Sequence, residues 1–166
     1  TGYSQGGIHA ANIAADPRIN RVYDVDHVVT FGAPVGAKDL PEGVRGLHLE
    51  HLDDPVPGAD GVQNPDVRDR VTVRLDGYAP GTDRSAPGFG AAHGLDNYAF
   101  GAEAAELSTD PTVVEATGAL GAVFAGAGTA RIQAVALKRR VPPGQLPARR
   151  PTGPEFRDWR DWFPGR

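Results

Sequence analysis

The sequence predicts an α/β fold, in which a parallel β-sheet is flanked by helices. Short runs rich in β-branched residues alternate along the chain with stretches of helical character. Glycine, proline and aspartate end several of these runs, as they do at the ends of strands. Acidic residues and histidines follow the predicted strands, at the edge where parallel sheets place their functional groups.

Composition excludes several classes of protein. Of the 166 residues, 40% are hydrophobic and 23% are charged, which is typical of a globular domain. The net charge of −4 argues against a nucleic-acid-binding protein. The chain has no cysteine, so it contains no disulfide and no thiolate metal site. We expect no metal and no cofactor, and composition leaves localisation and oligomeric state open.

Charge and proline content divide the chain in two. Residues 138–166 are basic and rich in proline, whereas residues 1–137 are acidic. We therefore predict a folded domain over residues 1–137 and a basic, Pro/Arg-rich tail over residues 138–166. The tail is expected to be a solvated linker, although its two tryptophans could dock on the domain or on a partner.

The chain opens with the pattern Gly-x-Ser-x-Gly, centred on Ser4. This pattern predicts a sharp turn between a strand and a helix, which raises the serine above its surroundings. Both glycines, Gly2 and Gly6, are expected to leave room for close backbone contacts in that turn. A helix should follow over residues 8–15 and end before Asp16-Pro17.

Three further strands are predicted after this helix. Residues 28–31 form a β-branched and aromatic run that glycine and proline close. Residues 44–52 lead into a tight turn that prolines restrain, and residues 71–75 alternate between apolar and polar side chains.

The predicted C-terminal part of the domain is helical. A long loop over residues 76–92 leads to a helix over residues 95–108. A second helix should begin at Pro111, with Thr109 or Asp110 as its N-cap. Residues 116–130 are uncharged, but the run is shorter than the roughly 20 residues of a membrane span, so we predict no transmembrane segment.

Residues in the order serine, aspartate, histidine indicate a catalytic triad: Ser4, one of the adjacent Asp53 and Asp54, and His93. A histidine can take the serine proton and return it at neutral pH, and a buried carboxylate can orient the imidazole. The backbone N–H of Gln5, directly after the serine, is the expected oxyanion donor. The order alone leaves the choice between the two aspartates open, and the other four histidines are alternative bases: His9, His27, His48 and His51.

The motifs Gly-Tyr-Ser-Gln-Gly-Gly, Val-Thr-Phe-Gly-Ala-Pro and Asp-Pro-Val-Pro, followed by a histidine that opens a helix, resemble the α/β-hydrolases. The resemblance covers residues 1–108 and is greatest to class 3-type lipases. Cutinases share the Ser…Asp…His order and are the second choice, although they carry cysteines. The resemblance implies Asp54, rather than Asp53, as the triad acid. It also implies the C-terminal half of that fold, starting at the nucleophile turn, with further strands and a second oxyanion donor upstream.

The expected activity is that of a serine hydrolase that cleaves carboxylic (acyl or lipid) esters through an acyl-enzyme. The same triad would serve a thioesterase, a peptidase or an acyltransferase. A non-catalytic α/β-hydrolase-like interaction module is the alternative from another class. Because the resemblance places strands upstream, we expect the chain alone to be inactive.

Overall fold

The computed structural model describes residues 1–85 and 89–126, in which four parallel strands form one sheet in the order β1-β2-β3-β4. The strands are β1 (Gly2–Tyr3), β2 (His27–Phe31), β3 (Arg45–His51) and β4 (Arg70–Leu75). The helices are α1 (Gln5–Ala15), α2 (Pro17–Asn20), α3 (Leu95–Glu106) and α4 (Pro111–Gly126), and a 3-10 turn spans Ala91–His93. The predicted α/β class is confirmed. The predicted tail, residues 138–166, lies outside the described residues.

Only the first connection between strands contains helices. Helices α1 and α2 link β1 to β2, but residues 32–44 and 52–69 link the next strands without a helix. A connection between parallel strands must be long enough to return to the edge of the sheet where the strands begin. Both of these segments are long enough to do so. Their glycines and prolines disfavour a helix, so these crossovers are irregular loops.

Side chains from one loop hold the other loop in place. Asn64 is buried, and its amide donates to the Ala33 carbonyl at 2.9 Å and accepts the Val35 N–H at 3.0 Å. Asp60 accepts the Ala37 N–H at 3.0 Å. These bonds satisfy backbone groups that a helix would otherwise have satisfied internally.

Apolar side chains cover both faces of the sheet, as expected for parallel strands. On one face, Val28 packs with Ala14 of α1. On the other face, Val29 and Leu47 pack with Tyr98 of α3. Burial on both faces explains why β2 has adjacent buried residues rather than alternating buried and exposed ones.

Predicted and observed elements agree within three residues, except that the short helix α2 was not predicted, and the start of α1 is shifted. The helix begins at Gln5, immediately after Ser4, rather than at residue 8. At α4, Asp110 is the N-cap, because its carboxylate accepts the backbone N–H groups of Thr112 at 2.9 Å and Val113 at 3.2 Å.

A buried polar cluster joins the middle strands beneath the loops. The Thr30 hydroxyl and His48 Nδ1 lie 2.8 Å apart, and Arg70 donates toward His48 Nε2 at 3.4 Å. Burial, with a smaller contribution from Arg70, lowers the pKa of His48 to about 4. His48 is therefore neutral at pH 7 and forms part of the fold.

The glycines of the opening turn do not contribute equally. A Cβ at Gly2 would lie 2.3 Å from the Gly6 carbonyl oxygen, so Gly2 is sterically required. A Cβ at Gly6 would meet nothing within 4 Å, so the expected steric need for this glycine is wrong. A Cβ at Gly7 would instead lie 2.3 Å from the Cβ of Ala33, because α1 packs directly on the residues that follow β2.

This difference predicts opposite effects for two neighbouring substitutions. Gly7→Ala should lower the free energy of unfolding by about 1–3 kcal/mol, because the methyl group overlaps Ala33. Gly6→Ala, the matched control, should be neutral or raise it by up to about 1 kcal/mol through helix propensity. Urea denaturation measures both values. Equal destabilisation by the two variants would contradict this account of the packing of α1.

Candidate active site

Ser4 occupies a strained turn between β1 and α1. Its backbone has φ 53° and ψ −128°, a conformation that costs a non-glycine residue on the order of 1–3 kcal/mol. The Ser4 N–H donates to the Phe31 carbonyl at 2.8 Å, and the Gly7 N–H donates to the Ser4 carbonyl at 3.0 Å. Hydrogen bonds to β2 and within α1 thus fix the serine at the carboxyl end of the sheet.

Asp54 lies in the turn after β3, and its carboxylate is fully buried. The Asp54 N–H donates to the His51 carbonyl at 2.9 Å, and its Oδ1 accepts the Val56 N–H at 2.9 Å. A carboxylate without water requires such partners, because an unpaired buried charge is strongly destabilising. Its second oxygen, Oδ2, accepts hydrogen bonds from His93 and Tyr98.

His93 joins the other two predicted residues into one hydrogen-bonded chain. Its Nδ1 lies 2.7 Å from Asp54 Oδ2, and its Nε2 lies 3.0 Å from Ser4 Oγ. Because a carboxylate oxygen only accepts, Nδ1 carries the proton and Nε2 offers its lone pair to the serine hydroxyl. The histidine side chain is 11% exposed, so one edge of the site reaches the surface. This is the arrangement in which an imidazole can act as a base toward serine.

Asn97 organises the loop that delivers His93. It is buried, and its side-chain amide donates to the Ala91 carbonyl at 2.6 Å. Its carbonyl oxygen accepts the Ala79 N–H at 2.7 Å and the Thr82 hydroxyl at 2.9 Å. One side chain of α3 thereby fixes both ends of the long connection between β4 and the 3-10 turn.

Two aromatic rings flank the imidazole. The Tyr3 ring stacks on His93 with centroids 5.1 Å apart, and the Tyr3 hydroxyl donates to the His93 carbonyl. Phe89 lies edge-on to His93 at 5.6 Å and is 50% exposed. The imidazole therefore contacts aromatic rings, while its two nitrogens contact the polar groups of Asp54 and Ser4.

The backbone N–H of Gln5 lies next to the serine at the first position of α1. The first N–H groups of a helix have no partner within it, and they lie at the positive end of the helix dipole. The geometry therefore permits Gln5 to donate to an anion that forms beside Ser4. α1 is 11 residues long, enough for a substantial dipole.

The alternative acid, Asp53, and the four alternative histidines lie elsewhere in the structure than the chain formed by Ser4, His93 and Asp54. Asp53 is 60% exposed, and its carboxylate accepts a hydrogen bond from the Tyr78 hydroxyl at 2.8 Å, whereas the carboxylate bound to His93 is that of Asp54. His9 is exposed on α1, and His27 starts β2, at the opposite end of the strand from Ser4. The remaining two, His48 and His51, are both buried in β3.

Sequence reasoning missed Asn97 and Tyr98 as parts of the site. Both lie within the helix predicted over residues 95–108, and neither was given a role in the site. Their partners are distant in the chain, so nothing in the local pattern reveals them. The one available signal is their position in the helix that directly follows His93.

The two neighbouring aspartates offer a matched test of the Asp54–His93 hydrogen bond. The proton on His93 Nδ1 should give a low-field proton NMR signal, because it is held by a buried carboxylate at 2.7 Å. Asp54→Asn should abolish this signal, because the neutral amide is a weaker acceptor. Asp53→Asn should preserve it. Loss of the signal in both variants, or in neither, would contradict the assignment.

Neither a metal site nor a membrane segment is evident in the described part of the chain. Residues 1–85 and 89–126 contain no group of three or more metal-ligating side chains. None of the helices there combines the length and apolar character needed to cross a bilayer.

Comparison of the chain with known protein families, curated proteins and solved structures gave no significant match.

Proposed function

We propose that this protein is a serine hydrolase that cleaves carboxylic esters through an acyl-enzyme. The observation that carries the proposal is the hydrogen-bonded chain from Ser4 Oγ through His93 to the buried carboxylate of Asp54, with distances of 3.0 and 2.7 Å. A hydroxyl is a weak nucleophile, and a base so oriented is what activates it. Strain at Ser4 supports the same reading, since strained backbone clusters at functional sites.

Each step of the proposed reaction has a group to perform it. His93 Nε2 takes the Ser4 proton as Oγ attacks the ester carbonyl carbon, and Asp54 stabilises the resulting imidazolium. The carbonyl oxygen becomes an oxyanion, to which the Gln5 N–H donates. The carbon–oxygen bond to the alcohol then breaks, and His93 gives the alcohol its proton. Water, activated by His93 in turn, releases the acid from Ser4.

The surroundings of His93 favour an ester with an apolar group. Tyr3 stacks on the imidazole, and the half-exposed Phe89 ring borders it on another side. These rings can bury part of an acyl chain or an apolar alcohol. The proposal of an acyl or lipid ester rests on these contacts and on the resemblance to class 3-type lipases.

We also propose that these residues form the C-terminal part of an α/β-hydrolase domain. Three features support this. The serine lies in a strand–turn–helix segment, the strands are parallel, and the acid and the histidine follow it in that order along the chain. Thioesterase, peptidase and acyltransferase activities use the same triad, and they are distinguished from esterase activity by the substrate that is turned over.

The first test is covalent labelling by a fluorophosphonate, which reacts with activated serines, of the protein purified together with any residues that precede Thr1. Ser4 should be labelled, and Ser4→Ala should abolish this labelling, because the substitution removes the oxygen that attacks phosphorus. Ser85→Ala is the matched control and should label normally, since the Ser85 hydroxyl donates to Asp83 at 2.6 Å and has no histidine beside it. Mass spectrometry of the digested protein locates the label.

Absence of labelling in a folded protein would overturn the catalytic proposal and favour a non-catalytic interaction module. If Ser4 is labelled, turnover of matched p-nitrophenyl esters, thioesters and anilides then decides the reaction class. Faster turnover of the thioester or the anilide than of the ester would contradict the ester assignment.

A further inference from the structure

One hydroxyl outside the triad contacts it directly. Tyr98 lies in α3 and is 1% exposed, and its O–H donates to Asp54 Oδ2 at 2.6 Å. The same carboxylate oxygen accepts the proton of His93 Nδ1 at 2.7 Å. The Tyr98 oxygen also accepts the backbone N–H of His51, at the end of β3, at 3.1 Å. The hydroxyl thus binds both the side chain of Asp54 and the strand that precedes it.

We propose that Tyr98 is a positioning residue, whose hydroxyl holds the helix after His93 in register with Asp54. The expected effect of this positioning on the reactivity of Ser4 rests on the proposed hydrolase function. The role of Tyr98 in the Asp54–His93 geometry does not.

The course of the chain explains why such an anchor is needed. His93 follows the long connection from β4, and it lies in the 3-10 turn immediately before α3. Its position therefore depends on how the first turns of α3 dock against β3. Tyr98 makes that docking through two hydrogen bonds to buried partners, which are more restrictive than apolar packing alone. Burial, followed by the hydrogen bond to Asp54 and its charge, raises the pKa of Tyr98, so the hydroxyl remains a donor.

The residue after β2 provides independent support. Gly32 has φ 56°, and a Cβ there would lie 2.8 Å from the Tyr98 hydroxyl and 2.9 Å from Asp54 Oδ2. The end of β2 therefore has no room for a side chain where the phenol and the carboxylate meet. The backbone of a third element is shaped to admit this pair, as expected if their contact matters.

The test compares Tyr98→Phe, which keeps the ring and removes the hydroxyl, with Tyr23→Phe, which changes a 64% exposed tyrosine. With Tyr98→Phe, the proton on His93 Nδ1 should exchange with water at least about tenfold faster, as expected when an ordering hydrogen bond is lost. The saturating rate of Ser4 phosphonylation should fall by about tenfold to a hundredfold, with the half-saturating probe concentration unchanged. Tyr23→Phe should alter none of these values.

A folded Tyr98→Phe protein with the parental exchange rate and phosphonylation rate would overturn the proposal. If the variant does not fold, 3-fluorotyrosine at position 98 replaces it, because this residue keeps the volume and makes the hydroxyl a stronger donor. Two donors compete for one carboxylate oxygen, so the His93 Nδ1 proton signal should then move upfield. An unchanged signal overturns the proposal. If Ser4 never reacts, the hydrolase function fails, while the NMR comparison still decides the role of Tyr98.

Discussion

The buried carboxylate of Asp54 is the constraint on which the rest of the site depends. With no exposed surface, it must receive hydrogen bonds from the protein, and three groups supply them: the Val56 N–H, the Tyr98 hydroxyl and His93 Nδ1. These donors come from the turn after β3, from α3 and from the 3-10 turn. Satisfying one charge therefore brings together segments that are far apart in the chain, and leaves His93 Nε2 free to accept from Ser4.

The parallel sheet makes this convergence possible. β1, β2 and β3 all end at the same edge, and Ser4 and Asp54 follow two of these strands directly. His93 has no strand of its own at that edge, because it follows the long connection after β4. It is instead held by α3, through Asn97 on the side of the loop and Tyr98 on the side of Asp54. The helix is therefore as important to the site as the strands are.

Much of the fold was predictable, because β-branched runs and turn residues are local signals. The sequence also predicted that Ser4, Asp54 and His93 would meet, and the structure brings them within hydrogen-bonding distance. What sequence reasoning could not supply depends on distant partners. A glycine is required at position 7 rather than at position 6, because a side chain at position 7 would overlap Ala33, which is distant in the sequence. In the sequence, Tyr98 is one aromatic residue of a predicted helix, and its role becomes visible only through the hydrogen bond from its hydroxyl to Asp54. The hydrogen bonds that hold the irregular crossovers could not be predicted, because they join side chains of one loop to the backbone of the other.

We propose that Ser4 attacks an acyl carbon while the Gln5 N–H donates a hydrogen bond to the oxyanion. A crystal structure of the protein after reaction with a fluorophosphonate tests it most directly, because the phosphonyl group mimics the tetrahedral intermediate. The account predicts a covalent bond from Ser4 Oγ to phosphorus, a phosphonyl oxygen about 3 Å from the Gln5 nitrogen, and His93 still bonded to Asp54. An unmodified Ser4 beside an intact His93, or a phosphonyl oxygen directed away from α1, would contradict it.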